Sequence, residues 1–504
     1  MTIPHSPLVA TAAGPVLGVA GARVAAFLGI PYAAPPVAER RFALPEPPEH
    51  WDTARHCVAP GDAAPQSVST ATDFDAAVSC PEQSEDCLWL NVWTPAPEHG
   101  ADLPVLVWFH GGAFVHGTVA DPVYDGSRLA ASGLVVVTVN TRLGALGMLD
   151  LRELMPDGQC NLSLHDQAAA LTWVRENIGA FGGSPGSITV AGESVGGTSA
   201  LVLLGSSLEG RPRRAIAQSG SVEQFMSAEA SEATARAVLS AAGIAPGRVG
   251  ELAAVGVDRL LAAQGEVLAR VWTGAPGSDE IFGAHAVSQL TPFLPTQDDL
   301  FVSGTPVDGL RSHAVGADLL VGTTRSEASL YRLTSGGLAA DWVLANAARA
   351  GVAGLTAADD AELMAAYTHG GSIDLEALET DRYFRSPALR AADVLGDVAG
   401  ASVTTYRIDL AQMEAAHMVD VPLTFGTLDS PLGSWFSTQA ADAREMQETS
   451  AVVRRAWAAF CADGTLPGGA SHVAGSTWSN TISADGVRAE QCDRRVRAMW
   501  RTFS

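Results

Sequence analysis

The chain has 504 residues, 47% hydrophobic and only 17% charged, a composition that buries a sizeable core and excludes a disordered chain. Asp and Glu number 55 against 31 basic residues, a net charge of −24 at pH 7, so neither nucleic acid nor an anionic membrane is expected as a partner. All 31 basic residues are Arg, and the lack of any lysine excludes a Walker-A loop, a Ser-x-x-Lys nucleophile pair and Schiff-base chemistry.

Met1 to Ala20 has no positive start, and Pro4, His5, Pro7 and Pro15 break its apolar run. Neither a signal peptide nor a membrane span is read there. The expected location is the cytoplasm, although a trimmed leader would permit secretion. Val105–Phe109 and Leu134–Val139 are continuous apolar runs of strand length, the pattern of strands buried on both faces. Ala170, Leu171, Val174 and Ile178 recur at helical spacing behind Asp166. Ser187–Val190 reads as another strand, running into a glycine-rich turn and a helix that carries Ala200, Leu201 and Leu204. Ala215–Gln218, Asp318–Val321 and Val403–Ile408 continue the strand series.

Between these, residues 222–313 and 330–400 turn helical. Ser227 is placed to cap one helix and Gly243 to stop it, and Asp258 opens the next. Length alone would suit about three domains of ~150 residues. Because strand-like runs resume after each helical stretch, residues 1–504 are read as one α/β domain with helical insertions. The six cysteines, Cys57, Cys80, Cys87, Cys160, Cys461 and Cys492, form no Cys-x-x-Cys, and no His-Glu-x-x-His occurs. No metal site and no cofactor are expected.

Two glycine-rich segments carry chemistry. Gly192-Glu193-Ser194-Val195-Gly196 follows a strand and opens a helix, the context in which a serine nucleophile sits on a tight turn with small neighbours. His110-Gly111-Gly112-Ala113-Phe114 follows Val105–Phe109, and small residues there let backbone N–H groups turn towards a developing oxyanion. It precedes the serine turn, as in lipases and esterases.

From here the chain resembles the type B carboxylesterases, the cholinesterase-like lineage of α/β-hydrolases. The resemblance runs from Phe27–Tyr32 and Arg40–Phe42 through Glu85–Val92, Val139–Gly147, Asp166-Gln167 and Asn177–Gly183. It continues through the serine turn and Ala217–Ser221. It implies an α/β-hydrolase fold: a large, mostly parallel twisted sheet flanked by helices, with the two insertions capping an active-site gorge. It implies Glu327, in Val321–Ala328, as the acid and His417, in Ala416–Gly426, as the base, giving the chain order Ser194, Glu327, His417. The oxyanion hole would use the amides of Gly112, Ala113 and Val195.

The resemblance further implies two structural ion pairs, Arg41 with Glu85 and Arg142 with Asp166, and a supporting role for Ser219. His116 and His165 are read as structural or surface groups. Four features depart from the family pattern: Val195 replaces the usual Ala, Ser163 a usual Gly, and the loop Ser67–Ser84 has Phe74 but no Trp for a cationic substrate. Cys87 also lacks its usual partner, leaving open a bridge to Cys80. The expected activity is hydrolysis of small, largely uncharged carboxylic esters. Carbamate or aryl-amide hydrolysis by the same residues is the alternative reading, and a non-catalytic binding protein is disfavoured by the retained triad. The sequence leaves the oligomeric state open.

Overall fold

The continuous apolar runs form the middle of one sheet. The computed structural model describes residues 6–68, 72–78, 80–245, 247–273, 275, 278, 291–337, 343, 365, 367–475 and 478–491. In chain order the strands of this sheet are β1 Val19–Ala20, β2 Ala25–Pro31, β3 Trp89–Thr94, β4 Leu103–Phe109, β5 Val135–Val139 and β6 Gly183–Glu193. They continue as β7 Arg214–Gln218, β8 Asp318–Thr324, β9 Ser402–Ile408, β10 Trp478–Ser483 and β11 Gly486–Gln491.

Across the sheet the order is β11-β10-β9-β8-β7-β6-β4-β5-β3-β2-β1. Neighbours from β10 through β5 are parallel, whereas β11 and the run β3-β2-β1 are antiparallel margins. The mostly parallel expectation therefore holds, and each of the six strand-like runs lies in a strand. Of the margins, β1 is short and β2 does not show a continuous buried run, whereas β3 is buried throughout but its apolar run is broken by Asn91 and Thr94.

Side chains alternate across β4 with the period of two that a strand imposes. Val105, Val107 and Phe109 enter one apolar layer with Leu171, Val174, Leu201 and Leu203. Those partners come from helices α2 (Leu162–Asn177) and α3 (Val195–Leu204). Leu106 and Trp108 enter the opposite layer with Phe425, Phe436, Trp457 and Phe460. These belong to α8 (Asp420–Phe425), α9 (Pro431–Gln439) and α10 (Ala443–Asp463). Trp108 meets Phe425 edge-on at 5.0 Å between ring centres. Each such fully buried large side chain contributes about 1.5–3 kcal/mol, so the sheet that carries the site is rigidly held from both faces.

A third apolar cluster joins the first insertion to the site. Helices α4 (Ala228–Ala241) and α5 (Val257–Trp272) bring Val238, Leu239, Leu260 and Val267 against Phe114, Leu146 and Val195. As expected, the Ser227 side chain caps α4 by accepting from the Ala230 amide, and Gly243 follows the helix in a left-handed conformation. Helix α2 starts at Leu162, four residues earlier than Asp166, so Asp166 lies inside it. The second insertion is only partly described, because residues 338–342, 344–364 and 366 fall outside the described residues. Its described part includes α6 (Leu375–Glu379) and a π-helical turn, Thr380–Arg385, leading into α7 (Ser386–Gly396).

Both expected ion pairs form. Arg41 Nε and Nη2 reach Glu85 at 2.5 and 2.6 Å, and Arg142 Nε and Nη2 reach Asp166 at 2.9 and 2.6 Å. Cys57, Cys80, Cys87, Cys160 and Cys461 are free thiols, so Cys80 and Cys87 are not bridged; Cys492 lies outside the described residues. Among the described residues no helix is long and apolar enough to cross a membrane.

Candidate active site

The chain turns sharply at the end of β6. Ser194 takes φ +57° and ψ −125°, outside the regions open to most L residues, and α3 begins at the next residue. The turn is possible because Gly192 and Gly196, two residues away on either side, lack side chains. A Cβ on Gly192 would lie 2.4 Å from the Gly196 carbonyl carbon, and one on Gly196 2.0 Å from the Phe109 carbonyl oxygen. The Ser194 amide donates to Gln218 O at 2.8 Å, and the Thr198 amide donates to Ser194 O at 2.9 Å. These bonds offset a strain of about 1–3 kcal/mol.

Such strain concentrates here. Of the eight non-glycine residues with positive φ among the described residues, five are Ala113, Phe114, Ser194, Ser219 and Met418. Unusual backbone held by surrounding structure clusters at sites where geometry serves chemistry.

Glu327, just past β8, is fully buried and its carboxylate is saturated. Oε1 accepts from the Ser219 hydroxyl at 2.5 Å and the Thr324 amide at 2.7 Å, while Oε2 lies 2.6 Å from His417 Nδ1. The His417 amide also donates to Glu327 O at 3.1 Å. Burial pushes the Glu327 carboxyl up, but the bond and charge of His417, with those of Ser219 and Thr324, hold it below the usual carboxylate range. An ionised Glu327 fixes the imidazole tautomer, with the proton on Nδ1 and the lone pair on Nε2.

The structure thus joins Glu327 to His417 directly, and Ser219 supports the acid through a hydrogen bond. Phe384, from the π-helical turn, packs on the imidazole with 4.6 Å between ring centres.

The segment after β4 folds tightly beside the serine. Gly112 has φ +110° and Ala113 φ +55°, and a Cβ on Gly111 would lie 3.3 Å from Ser194 Cβ. The amides of Gly112, Ala113 and Val195 donate to no group among the described residues. Val195 is also the first residue of α3, where the helix dipole favours negative charge. The Val195 side chain is buried in the third apolar cluster with Phe42, Phe114 and Leu146.

Two carboxylates here escaped the sequence reading. Glu193, 0% exposed, places Oε1 at 3.1 Å from His417 Nε2. Burial pushes its carboxyl up, while the charge of His417 pulls it down and Asp420 and Glu327 push further up. Asp420, at the start of α8, accepts from Gln218 Nε2 at 2.7 Å; burial and Glu327 push it up to about 6.

Burial disfavours the charged form of His417, but the charge of Glu193, the bond and charge of Glu327, and Asp420 outweigh it and raise this imidazole above the ordinary histidine value. The signal for Glu193 was present as a lone acid inside an otherwise small-residue turn. Nothing in the local sequence marks Asp420 as buried.

Residues 5–347 match the carboxylesterase family. The para-nitrobenzyl esterase of Bacillus subtilis is 35% identical over 466 residues, covering 91% of this chain and 90% of that protein. The human cocaine esterase is 42% identical over 229 residues, 43% of this chain and 40% of that protein. Among solved structures, a thermophilic para-nitrobenzyl esterase superposes with a TM-score of 0.84 at 31% identity, covering 98% of this chain and all of that one. A Geobacillus stearothermophilus carboxylesterase does so with a TM-score of 0.81 at 31% identity, covering 98% and 99% of the two chains.

Proposed function

The chain belongs to the carboxylesterase family and hydrolyses carboxylic esters through a serine, and from that premise we propose that Ser194, His417 and Glu327 perform the reaction on small, largely uncharged esters. The observation that carries this reading is the 2.6 Å contact of His417 Nδ1 with buried Glu327, next to a strained serine turn flanked by three undonated amides.

His417 Nε2 takes the Ser194 proton as Oγ attacks the ester carbonyl. Glu327 holds the ring and stabilises the transient imidazolium. The carbonyl oxygen, now carrying the negative charge, receives hydrogen bonds from the amides of Gly112, Ala113 and Val195, each worth about 3–4 kcal/mol of barrier. The imidazolium returns the proton to the departing alcohol, leaving an acyl-serine. Water, deprotonated by His417, attacks that ester and releases the carboxylic acid, and Ser194 regains its proton.

The charge preference rests on the loop Ser67–Ser84, which offers no Trp to a quaternary ammonium. Its Phe74 is engaged edge-on by Trp435 of α9 at 5.1 Å. The net charge of −24 attracts cations, but attraction between exposed charges is screened beyond about 8 Å at physiological salt. A neutral aryl butyrate is therefore hydrolysed at least as efficiently as butyrylcholine. Comparing kcat/KM for the two at about 0.15 M salt tests this, and a choline-ester preference of roughly tenfold, about 1.4 kcal/mol, would contradict it.

A further inference from the structure

Three histidines lie in or near the sequence motifs without a part in the reaction above, and two of them are wholly or partly buried. His110 is buried, with Nδ1 at 2.7 Å from Gly111 O, and His165 packs edge-on against Phe301 at 4.9 Å between ring centres. His116 is different. Its side chain is exposed, and among the described residues neither ring nitrogen has a hydrogen-bond or ion-pair partner.

Its position is tightly fixed. The Val115 and His116 amides both donate to Gly112 O at 3.0 Å, curling the segment back on itself. The next residue is pinned on both sides: the Gly117 amide donates to Gln66 Oε1 at 2.7 Å, and Gln66 Nε2 donates to Gly117 O at 3.1 Å. A Cβ on Gly112 would lie 3.2 Å from His116 Cδ2, so the imidazole stands against the residue whose amide faces the oxyanion. Gly111, one residue back, is the neighbour of Ser194.

An exposed ring on a convex surface stays fully hydrated. Surrounding protein instead desolvates His116 and lowers its pKa below the ordinary value, with the Asp75 carboxylate of α1 (Asp73–Ala77) opposing. Exposed, unpartnered and set against Gly112, one residue from the neighbour of Ser194, the ring is free to bond a group held beside the serine. The ring is neutral at pH 7, offering one donor and one acceptor.

We propose that His116 is a polar subsite of the active-site recess, hydrogen-bonding a hydroxyl or carbonyl group that an ester substrate carries beyond its scissile carbonyl. This rests on the serine-esterase reading and adds a substrate class to it: short esters bearing a second oxygen function in either the acyl or the alcohol part.

The test uses near-isosteric ester pairs with wild type, His116→Leu and His116→Asn. Methyl glycolate against methyl propionate probes the acyl side, and hydroxyethyl butyrate against propyl butyrate probes the alcohol side. The ratio of kcat/KM within a pair does not depend on the folded fraction of the preparation, and comparing variants cancels the esters' intrinsic reactivities. His116→Leu should lower the hydroxylated-to-plain ratio about three- to tenfold in one pair, the equivalent of one neutral hydrogen bond, and His116→Asn should restore part of it. The pair that responds identifies the side His116 reads. Equal ratios in wild type and His116→Leu for both pairs would overturn the subsite. Failure of the esterase reading would look different, since wild type would then leave plain propyl butyrate intact, and the subsite would fall with it.

Discussion

A carboxylate sealed from water beside an imidazole changes how that imidazole holds its proton. His417 must be neutral to accept from serine, and the charge of Glu193, 3.1 Å from Nε2, favours its protonated form. The acid limb of kcat/KM should therefore lie above the ordinary histidine value of about 6.5, with activity gained as pH rises through it. Glu193→Gln removes that charge, so it should move the limb to lower pH. A limb unmoved in Glu193→Gln would contradict the coupling. A limb near ~6–7 would be expected without Glu193. Its chemistry depends on a burial that local residue types do not disclose.

At the scale of elements, the site is assembled from turns that tolerate no side chain. A methyl group on Gly112 would meet the His116 carbonyl oxygen at 2.0 Å, in a residue whose φ of +110° already disfavours alanine. Gly112→Ala should lose most of its esterase activity through displacement of the oxyanion amides, each worth about 3–4 kcal/mol. A Gly112→Ala enzyme with wild-type kcat on an aryl ester would exclude these amides from that role.

The segment after β5 is tied instead by charge. Arg142 and Asp166 are 3% and 0% exposed, and Asp166 also accepts the Arg142 amide at 3.1 Å. Removing one partner strands the other in the core. Asp166→Asn should cost about 3–5 kcal/mol and melt well below wild type, whereas an unchanged melting temperature would show that the pair is dispensable. Both elements were legible in the sequence, the glycines as turn signals and the ion pair through resemblance. The extent of β6 was less so, since Gly183–Pro185 carries no strand pattern and is recruited by pairing with Leu103.

Across the whole molecule, legibility follows burial. Val105–Phe109 and Val135–Val139 are buried throughout and apolar but for Thr138 because helices cover both faces, and such runs are visible in one dimension. The β10–β11 hairpin, Trp478–Ser483 with Gly486–Gln491, mixes polar and apolar residues at the sheet margin and was not read as strands. The proposed triad was legible as residue types in sequence contexts. Its assembly was not, because Glu327 and His417 are 90 residues apart and meet only where β8 and β9 run parallel.

Ser194 is the proposed nucleophile, and every step of the reaction depends on it. An organophosphate or sulfonyl fluoride should label Ser194 alone, as read by peptide mass spectrometry. Ser194→Ala should stay folded, resist the label and lose on the order of 10⁶ in kcat. A label on Ser219, or an active Ser194→Ala enzyme, would contradict that assignment.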